Sequence, residues 1–430
     1  MSPHDSGVCE SVTVFGATFS VTGISMGQET KNCPSHHAER LRIVHYLPVF
    51  LLEYGGIVRF VLDLCNLLND QGHDVRLLTS NAADVPDSWR ETDSNSPSVF
   101  EIANSKWIDH LILPTRIGEA RNVIADADIV HLHSPWYLST LQLARCARSA
   151  QVPYVVSLHG TLDDWPMSQK GLKKHMFLWL AGRRALESAA AIHCTAQGEK
   201  NQVLSRMATL ADRIHVIPCV VDLSDYEELP GVQPAKQKFS FLNSDRKKVL
   251  FLSRMHPKKG IETLIEATSL LVESGMDVEL VAAGPEDISA PTNYFASIQD
   301  KVAQLNLGEH VHFPGMVGGV DKISLFQSCD VFVLPTHQEN FGIVLVEAMA
   351  SGLPIVTTRG VDIWPELADA GAIITEATPQ SLAAAVRTVL HDDSHAQRGQ
   401  QGRQWVSQWL DKAGIAEGYE AMYRATMDCR

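Results

Sequence analysis

Residues Val331–Val356 read VFVLPTHQENFGIVLVEAMASGLPIV. The apolar run Val331–Leu334, stopped by Pro335, has the length and continuity of a strand buried on both faces of a parallel sheet. Thr336–Gly342 is a polar loop ending in glycine. Val344–Ala350 then reads as a helix with Leu345, Ala348 and Met349 on one face, closed by Gly352 and Pro354. The loop between such a strand and helix is where α/β proteins bind ligands, outside the carboxyl end of the sheet. The helix start offers N–H groups and a positive dipole end to a phosphate. Two carboxylates mark the unit, Glu339 in the loop and Glu347 in the helix, eight positions apart. A carboxylate accepts two hydroxyl protons at once, through the stronger, charge-assisted kind of hydrogen bond.

The same strand–loop–helix pattern precedes it. Val249–Ser253 reads as a strand, Arg254–Gly260 (RMHPKKG) as a loop and Ile261–Val272 as a helix. Arg254 and Lys259 lie at the carboxyl end of that strand. Arginine presents a forked donor to phosphate oxygens and lysine a point charge, so together they can neutralise a diphosphate. Near the start, Arg42–Tyr46 reads as a strand and Gly55-Gly56 opens a helix carrying Val58, Val61, Leu62, Leu64, Cys65 and Leu68. Gly72-His73 ends that helix before the strand Val75–Thr79. This is a βαβ unit whose glycines let backbone approach a phosphate or sugar. It lacks GxGxxG, which disfavours a dinucleotide-dependent oxidoreductase. Asp128–His133 and Tyr154–Leu158 read as further strands around a helix over Leu138–Ala150, and the second strand runs into His159-Gly160. His159 lies where a site belongs, although a lone histidine there also reads as a hydrogen-bonded loop residue. His133 and Trp136 are further cleft candidates.

These residues together resemble the retaining glycosyltransferases of the GT-B fold, family four, the glycosyl transferases group 1. The resemblance rests on Glu339-Asn340-Phe341-Gly342 with Glu347, seven residues lying between the two glutamates, on the Arg254…Lys259-Gly260 loop, and on SLHGTLDDW over Ser157–Trp165. It runs from Arg42 to Tyr423. It implies two Rossmann-like doubly wound domains facing across a cleft, and a hexose moved from a nucleotide-sugar to a hydroxyl acceptor with the anomeric configuration kept. It implies that Glu347 holds the ribose, and that Glu339, Asn340, Phe341 and Gly342 meet the sugar and diphosphate. Arg254 and Lys259 would take the leaving group, Gly55 and Gly56 would face the donor, and His159 would sit by the reacting sugar. Lys259 is preferred to Lys258 because it directly precedes Gly260. The chain departs from the family at Pro218–Asp222 (PCVVD), where relatives carry an Asn-Gly turn. Valine tolerates positive φ poorly, so a donor contact from that turn is in doubt. Asp126 and Asp128 are spaced as DxD, but Asp128 opens a buried strand, and relatives of this type generally need no metal. No cofactor is expected beyond the nucleotide-sugar co-substrate.

The expected organisation is a flexible tail over 1–39 and an acceptor-side domain over 40–222. A linker over 223–246 leads to a donor domain over 247–406. A last helix, read over Ser407–Tyr423 within the closing segment 407–430, packs back on the first domain in relatives and could pack on either by sequence alone. A length of 430 residues calls for at least two domains. The net charge of −14 argues against a general nucleic-acid binder. Eight cysteines without a CxxC read as reduced thiols of a cytoplasmic protein. No apolar run approaches the roughly 18 residues of a spanning helix. Lys170–Arg184 interleaves basic and apolar residues, so peripheral contact with the inner face of a membrane is one reading, and an ordinary amphipathic helix is the other. The acceptor is expected to be a glycan or lipid-linked saccharide of cell-surface polysaccharide synthesis. A nucleotide-sugar epimerase of the same fold and a non-catalytic sugar-nucleotide-binding protein stay open as alternatives.

Overall fold

The computed structural model describes residues 40–428 apart from 53–55, 92–94, 106–109, 136, 161–181, 288–289 and 393–394. The expected tail over 1–39, Gly55, Trp136 and most of Lys170–Arg184 and of the Ser157–Trp165 segment lie outside the described residues.

Fifteen strands are present among the described residues, in three sheets. The first half contributes β1 (Arg42–Tyr46), β2 (Asp74–Thr79), β3 (Ser98–Glu101), β6 (Ile129–His133), β7 (Tyr154–Ser157), β8 (Ala191–Cys194) and β9 (Ile214–Val216). They form a parallel sheet in the order β3-β2-β1-β6-β7-β8-β9. A small antiparallel pair, β4 (Asn104–Ser105) and β5 (Leu111–Ile112), stands apart. The second half contributes β10 (Lys247–Leu252), β11 (Val278–Ala283), β12 (Val311–Gly315), β13 (Val331–Leu334), β14 (Ile355–Thr358) and β15 (Ile373–Thr375). Their parallel order is β12-β11-β10-β13-β14-β15. The strand order reverses between β1 and β6 in the first sheet and between β10 and β13 in the second. At those two points loops diverge and leave a crevice at the carboxyl ends.

The strands form where apolar runs are continuous. β13 is fully buried, as are β6, β7 and β8, because helices cover both faces of each sheet. Helix Gly56–Asp70 buries Val58, Val61, Leu64, Cys65 and Leu68 as their spacing predicts, together with Phe60 and Leu67.

Two expectations are corrected. Trp89–Asn122, read as irregular, contains β3, the β4–β5 pair and the start of a helix over Ile117–Ala125. β3 is an edge strand whose residues are half-buried or exposed, so it lacks the apolar alternation that marks a strand. The single helix read over Ser407–Tyr423 is two, His395–Trp409 and Lys412–Asp428. Asp411 starts the second, its carboxylate accepting from Gly414 N at 2.8 Å and its carbonyl from Ile415 N at 3.0 Å. Helix Lys412–Asp428 lies on the first sheet, where Tyr423 and Tyr419 bond His131 and His193. The segment 223–246 carries a helix at Gln233–Lys238 and is bonded to the second half through Gly231 N to Gln327 Oε1 and Ala235 N to Ser324 Oγ. None of the five described cysteines is in a disulfide among the described residues. Among the described residues no helix is long and apolar enough to cross a membrane.

Candidate active site

The loops that follow β10, β13 and β14 are bonded into one ledge. His337 N donates to Lys258 O at 2.7 Å, and Thr336 Oγ1 donates to the same carbonyl at 3.0 Å. Glu339 N donates to Gly360 O at 2.7 Å, and Asp362 N donates back to Glu339 O at 3.0 Å. Gly260 makes the first crossing close. Its φ is +74°, and a Cβ there would lie 2.2 Å from Pro335 O. The ledge sets the Lys259 ammonium directly against the Glu339 carboxylate. Lys259 is 5 % exposed. Burial pushes its pKa well down, and the Lys258 and Arg254 charges nearby push it further, while the Asp287 carboxylate works against them. Of the two adjacent lysines, Lys259 is the one turned inward.

Arg254 stands beside this pair at the same end of β10. Met255 N, donating to Pro285 O at 2.9 Å, ties the β11 loop to the β10 loop and brings Asp287 within 2.8 Å of the Arg254 guanidinium. Gly342 has φ +68° and starts helix Ile343–Ala350, and a Cβ on it would meet Leu345 Cδ1 at 2.9 Å. Phe341 is buried and stacks on Trp409, with ring centroids 5.4 Å apart, so it anchors the loop. Glu347 lines a cleft of about 210 Å³ with Lys322, Tyr226, Arg59 and Asp63. Arg59 and Asp63 come from helix Gly56–Asp70 of the first half, so the two halves share this cavity. Lys322 Nζ donates to Glu347 Oε1 at 2.7 Å.

On the first half, His159 and Gly160 follow β7 in consecutive left-handed conformations, φ +53° and +68°. For a non-glycine residue this costs roughly 1–2 kcal/mol and persists only where neighbours impose it. Glu199 supplies the constraint, accepting from Gly160 N at 2.5 Å and from Thr195 N at 2.7 Å. The His159 ring meets Phe60 edge-on at 4.8 Å and bonds His133 at 3.1 Å. Burial depresses the His159 pKa to about 3, so the imidazole is neutral at physiological pH.

The two halves touch at this point. Thr195 Oγ1 donates to Asn340 Oδ1 at 2.9 Å, Asn340 Nδ2 donates to Asp362 Oδ2 at 3.1 Å, and Gln202 Nε2 donates to Asp362 Oδ1 at 2.7 Å. Gly198 allows the approach, since a Cβ on it would lie 2.5 Å from Asp362 O. A family profile described as "Glycosyl transferases group 1" matches residues 232–405, and one described as "Glycosyltransferase Family 4" matches residues 54–225. The chain belongs to the group 1 glycosyl transferases.

Relatives of this glycosyltransferase agree along most of its length. A D-inositol 3-phosphate glycosyltransferase of Kineococcus radiotolerans is 24% identical over 378 residues, spanning 79% of this chain and 83% of that protein. A phosphatidyl-myo-inositol mannosyltransferase of Mycolicibacterium smegmatis is 28% identical over 352 residues, 79% and 82% of the two chains. The crystal structure of Anabaena HepE with UDP and glucose superposes with a TM-score of 0.68 at 20% identity, covering 88% of this chain and 98% of that one. The fold is therefore GT-B, and the protein is a glycosyltransferase enzyme.

In this glycosyltransferase the structure brings Lys259, Glu339, Asn340, Gly342 and Arg254 together on one ledge, and puts Glu347 in the shared cleft. His159 joins them through Gly160, Glu199, Thr195 and Asn340. The Asn340 and Phe341 side chains make contacts within the protein. Asn340 bridges the halves, and Phe341 packs on Trp409. Asp126 and Asp128 lie at the amino end of β6 and pair with Arg42 and Arg76. Sequence reading missed Glu199, Gln202, Asp362, Lys322 and Arg59. Each is a single polar residue on an ordinary helix or loop, without local spacing that marks it. Gly56 starts its helix as expected.

Proposed function

We propose that this glycosyltransferase moves a hexose from a UDP- or GDP-linked sugar to a hydroxyl acceptor with retention of the anomeric configuration. The observation that carries the reading is the buried Lys259, paired to Glu339 and flanked by Arg254, at the point where the second sheet reverses its strand order. A buried cation at the carboxyl ends of parallel strands suits a diphosphate whose charge grows as the glycosidic bond breaks. Arg254 adds a forked donor to the same oxygens. Glu347, at the cavity shared by both halves, accepts the ribose hydroxyls, and Lys322 holds its carboxylate in place. Glu339, once the diphosphate draws on Lys259, accepts from the sugar. His159, uncharged, donates or accepts a hydrogen bond at the sugar without adding charge. The acceptor hydroxyl attacks from the face the diphosphate leaves, and its proton passes to a departing phosphate oxygen. HepE, crystallised with UDP and with UDP-glucose, supports the donor class, and the inositol-directed relatives support a phosphorylated or lipid-linked acceptor.

A thermal-shift screen with UDP- and GDP-sugars, followed by product analysis by NMR, tests the reading. A raised melting temperature with one donor and an α-to-α or β-to-β product is expected. Donor binding without transfer or hydrolysis would replace it with a binding protein, and sugar-nucleotide interconversion without acceptor would replace it with an epimerase. The basic segment Lys170–Arg184 supports a further expectation, peripheral contact of the enzyme with an anionic membrane on the cytoplasmic side.

A further inference from the structure

Beneath His159 the first sheet carries a stack of histidines to which the function proposed above assigns no role. His45 ends toward His133 and His133 toward His159. His45 Nδ1 lies 3.1 Å from His133 Nε2, and His133 Nδ1 lies 3.1 Å from His159 Nε2. The rings are stacked, with centroids 5.4 Å apart at both steps. His45 and His133 are fully buried. A second branch runs beside it, from Tyr423 through His131 and Ser157 to His193. Here a backbone carbonyl sets the direction. His193 Nε2 lies 2.9 Å from Ile217 O and must carry the proton. His193 Nδ1 therefore accepts from Ser157, Ser157 accepts from His131 Nε2, and His131 Nδ1 accepts from the Tyr423 hydroxyl.

Nitrogens of His45, His131 and His133 lie within 4.8 Å of one another, a grouping that could hold a metal ion. Both nitrogens of His131 and of His133 already have hydrogen-bond partners, so the grouping reads as a hydrogen-bonded chain. In the His45–His133–His159 chain the polarity is set by its inner end. Three neutral imidazoles joined by two hydrogen bonds have two arrangements. If every ring carries its proton on Nε2, the chain ends in a His45 N–H with nothing among the described residues to receive it, because His45 Nε2 is buried without a partner among them. If every ring carries it on Nδ1, the chain ends in a bare lone pair. Buried orphan N–H groups are rarer than under-satisfied acceptors. The second arrangement makes His159 Nε2 an acceptor and leaves Nδ1–H as the proton that His159 has to offer.

We infer that His133, oriented by His45, is a positioning residue that locks His159 in its Nδ1–H tautomer, so that the imidazole presents a hydrogen-bond donor to the donor sugar. The hydrogen bond made by one ring nitrogen decides which nitrogen holds the proton. The assignment at the sugar rests on the function proposed above, whereas the tautomer itself does not.

Long-range proton–nitrogen NMR of the full chain labelled with nitrogen-15 histidine tests it, with His159 assigned by the His159→Gln variant. The wild type is expected to show His159 wholly as Nδ1–H. His133→Phe keeps a ring in the stack but removes the donor, and a substantial Nε2–H population of His159 is expected to appear. Turnover is expected to fall about tenfold with the donor KM changed less than about twofold. His133→Asn places an amide N–H where Nδ1–H was, and is expected to restore both the Nδ1–H signature and most of the turnover. An Nε2–H His159 in the wild type, or an unchanged tautomer in His133→Phe, overturns the inference. If His133→Phe fails to fold, the wild-type spectrum and His133→Asn still decide it. If no sugar transfer is detected with any donor, the spectra stand and only the proposed function fails.

Discussion

Thr195 and Asn340, 145 positions apart in the chain, are joined by one hydrogen bond of 2.9 Å across the two halves of the enzyme. Asn340 also holds Asp362, and Thr195 also holds the carboxylate that fixes Gly160. One asparagine thus ties the ledge to the loop that carries His159. Asn340→Ala removes both of its contacts. A hydrogen bond contributes about 0.5–1.5 kcal/mol net. The expected result is a fall in kcat/KM for the donor of roughly tenfold, with a melting temperature lowered by only a few degrees. Equal kinetics in Asn340→Ala and wild type would remove the bridge from the catalytic assembly.

Asp362 gives the contact a pH dependence. Burial raises its carboxyl pKa from the usual carboxylate range to about 7, opposed by Asn340 and assisted by the Glu199 charge. The folded state therefore keeps a proton between about pH 4 and 7 that the unfolded chain has lost. Stability from this group falls as pH rises through that window. Asp362→Asn should gain on the wild type by on the order of 1–4 kcal/mol between pH 5 and 8, read as the difference in melting temperature at each pH.

The buried histidines work in the opposite direction. His45, His131, His133, His159 and His193 all have pKa values depressed by burial. Unfolding frees them to take up protons below the ordinary pKa of about 6.5, so their stabilising effect is complete above that pH and lost as pH falls. Urea titrations between pH 6.5 and 5 should show uptake of up to about five protons on unfolding. An uptake near one proton would mean that the stack is open to solvent.

On the function proposed above, Lys259→Ala and Glu347→Ala separate two roles. Removing Lys259 takes away stabilisation that grows in the transition state, so turnover should fall about a hundredfold or more. Removing Glu347 takes away a ground-state contact, so donor KM should rise tenfold or more with a smaller change in kcat. Steady-state kinetics with a single donor distinguish them, and a KM effect from Lys259→Ala alone would reverse the assignment.

Gly260→Ala should destabilise the second half, because the substitution demands φ +74° and a contact of 2.2 Å with the Pro335 carbonyl. The left-handed backbone alone costs roughly 1–2 kcal/mol. Thermal melts should show that loss, and displacement of the β13 loop should also reduce turnover.

The fold was legible wherever burial writes a local pattern. Val331–Leu334 and Val249–Ser253 announced strands because both faces are covered, and the glycine-closed loops after them announced helix starts. β3 was not legible, since an edge strand with half-exposed side chains has no period to read. The break at Leu410–Asp411 was hidden because neither proline nor glycine stands at it.

The sequence by itself determined the two βαβ halves, the family, and the candidate residues Arg254, Lys259 and Glu339 on the ledge and Glu347 in the cleft, because each lies a short, fixed distance from a strand end or a glycine. Tertiary structure alone decided that Asn340 joins the halves and that five histidines from four different segments gather at and beneath the His159 loop. Those outcomes depend on contacts between strands far apart in the chain. Sheet order and domain closure set such contacts, and neither leaves a trace in local spacing.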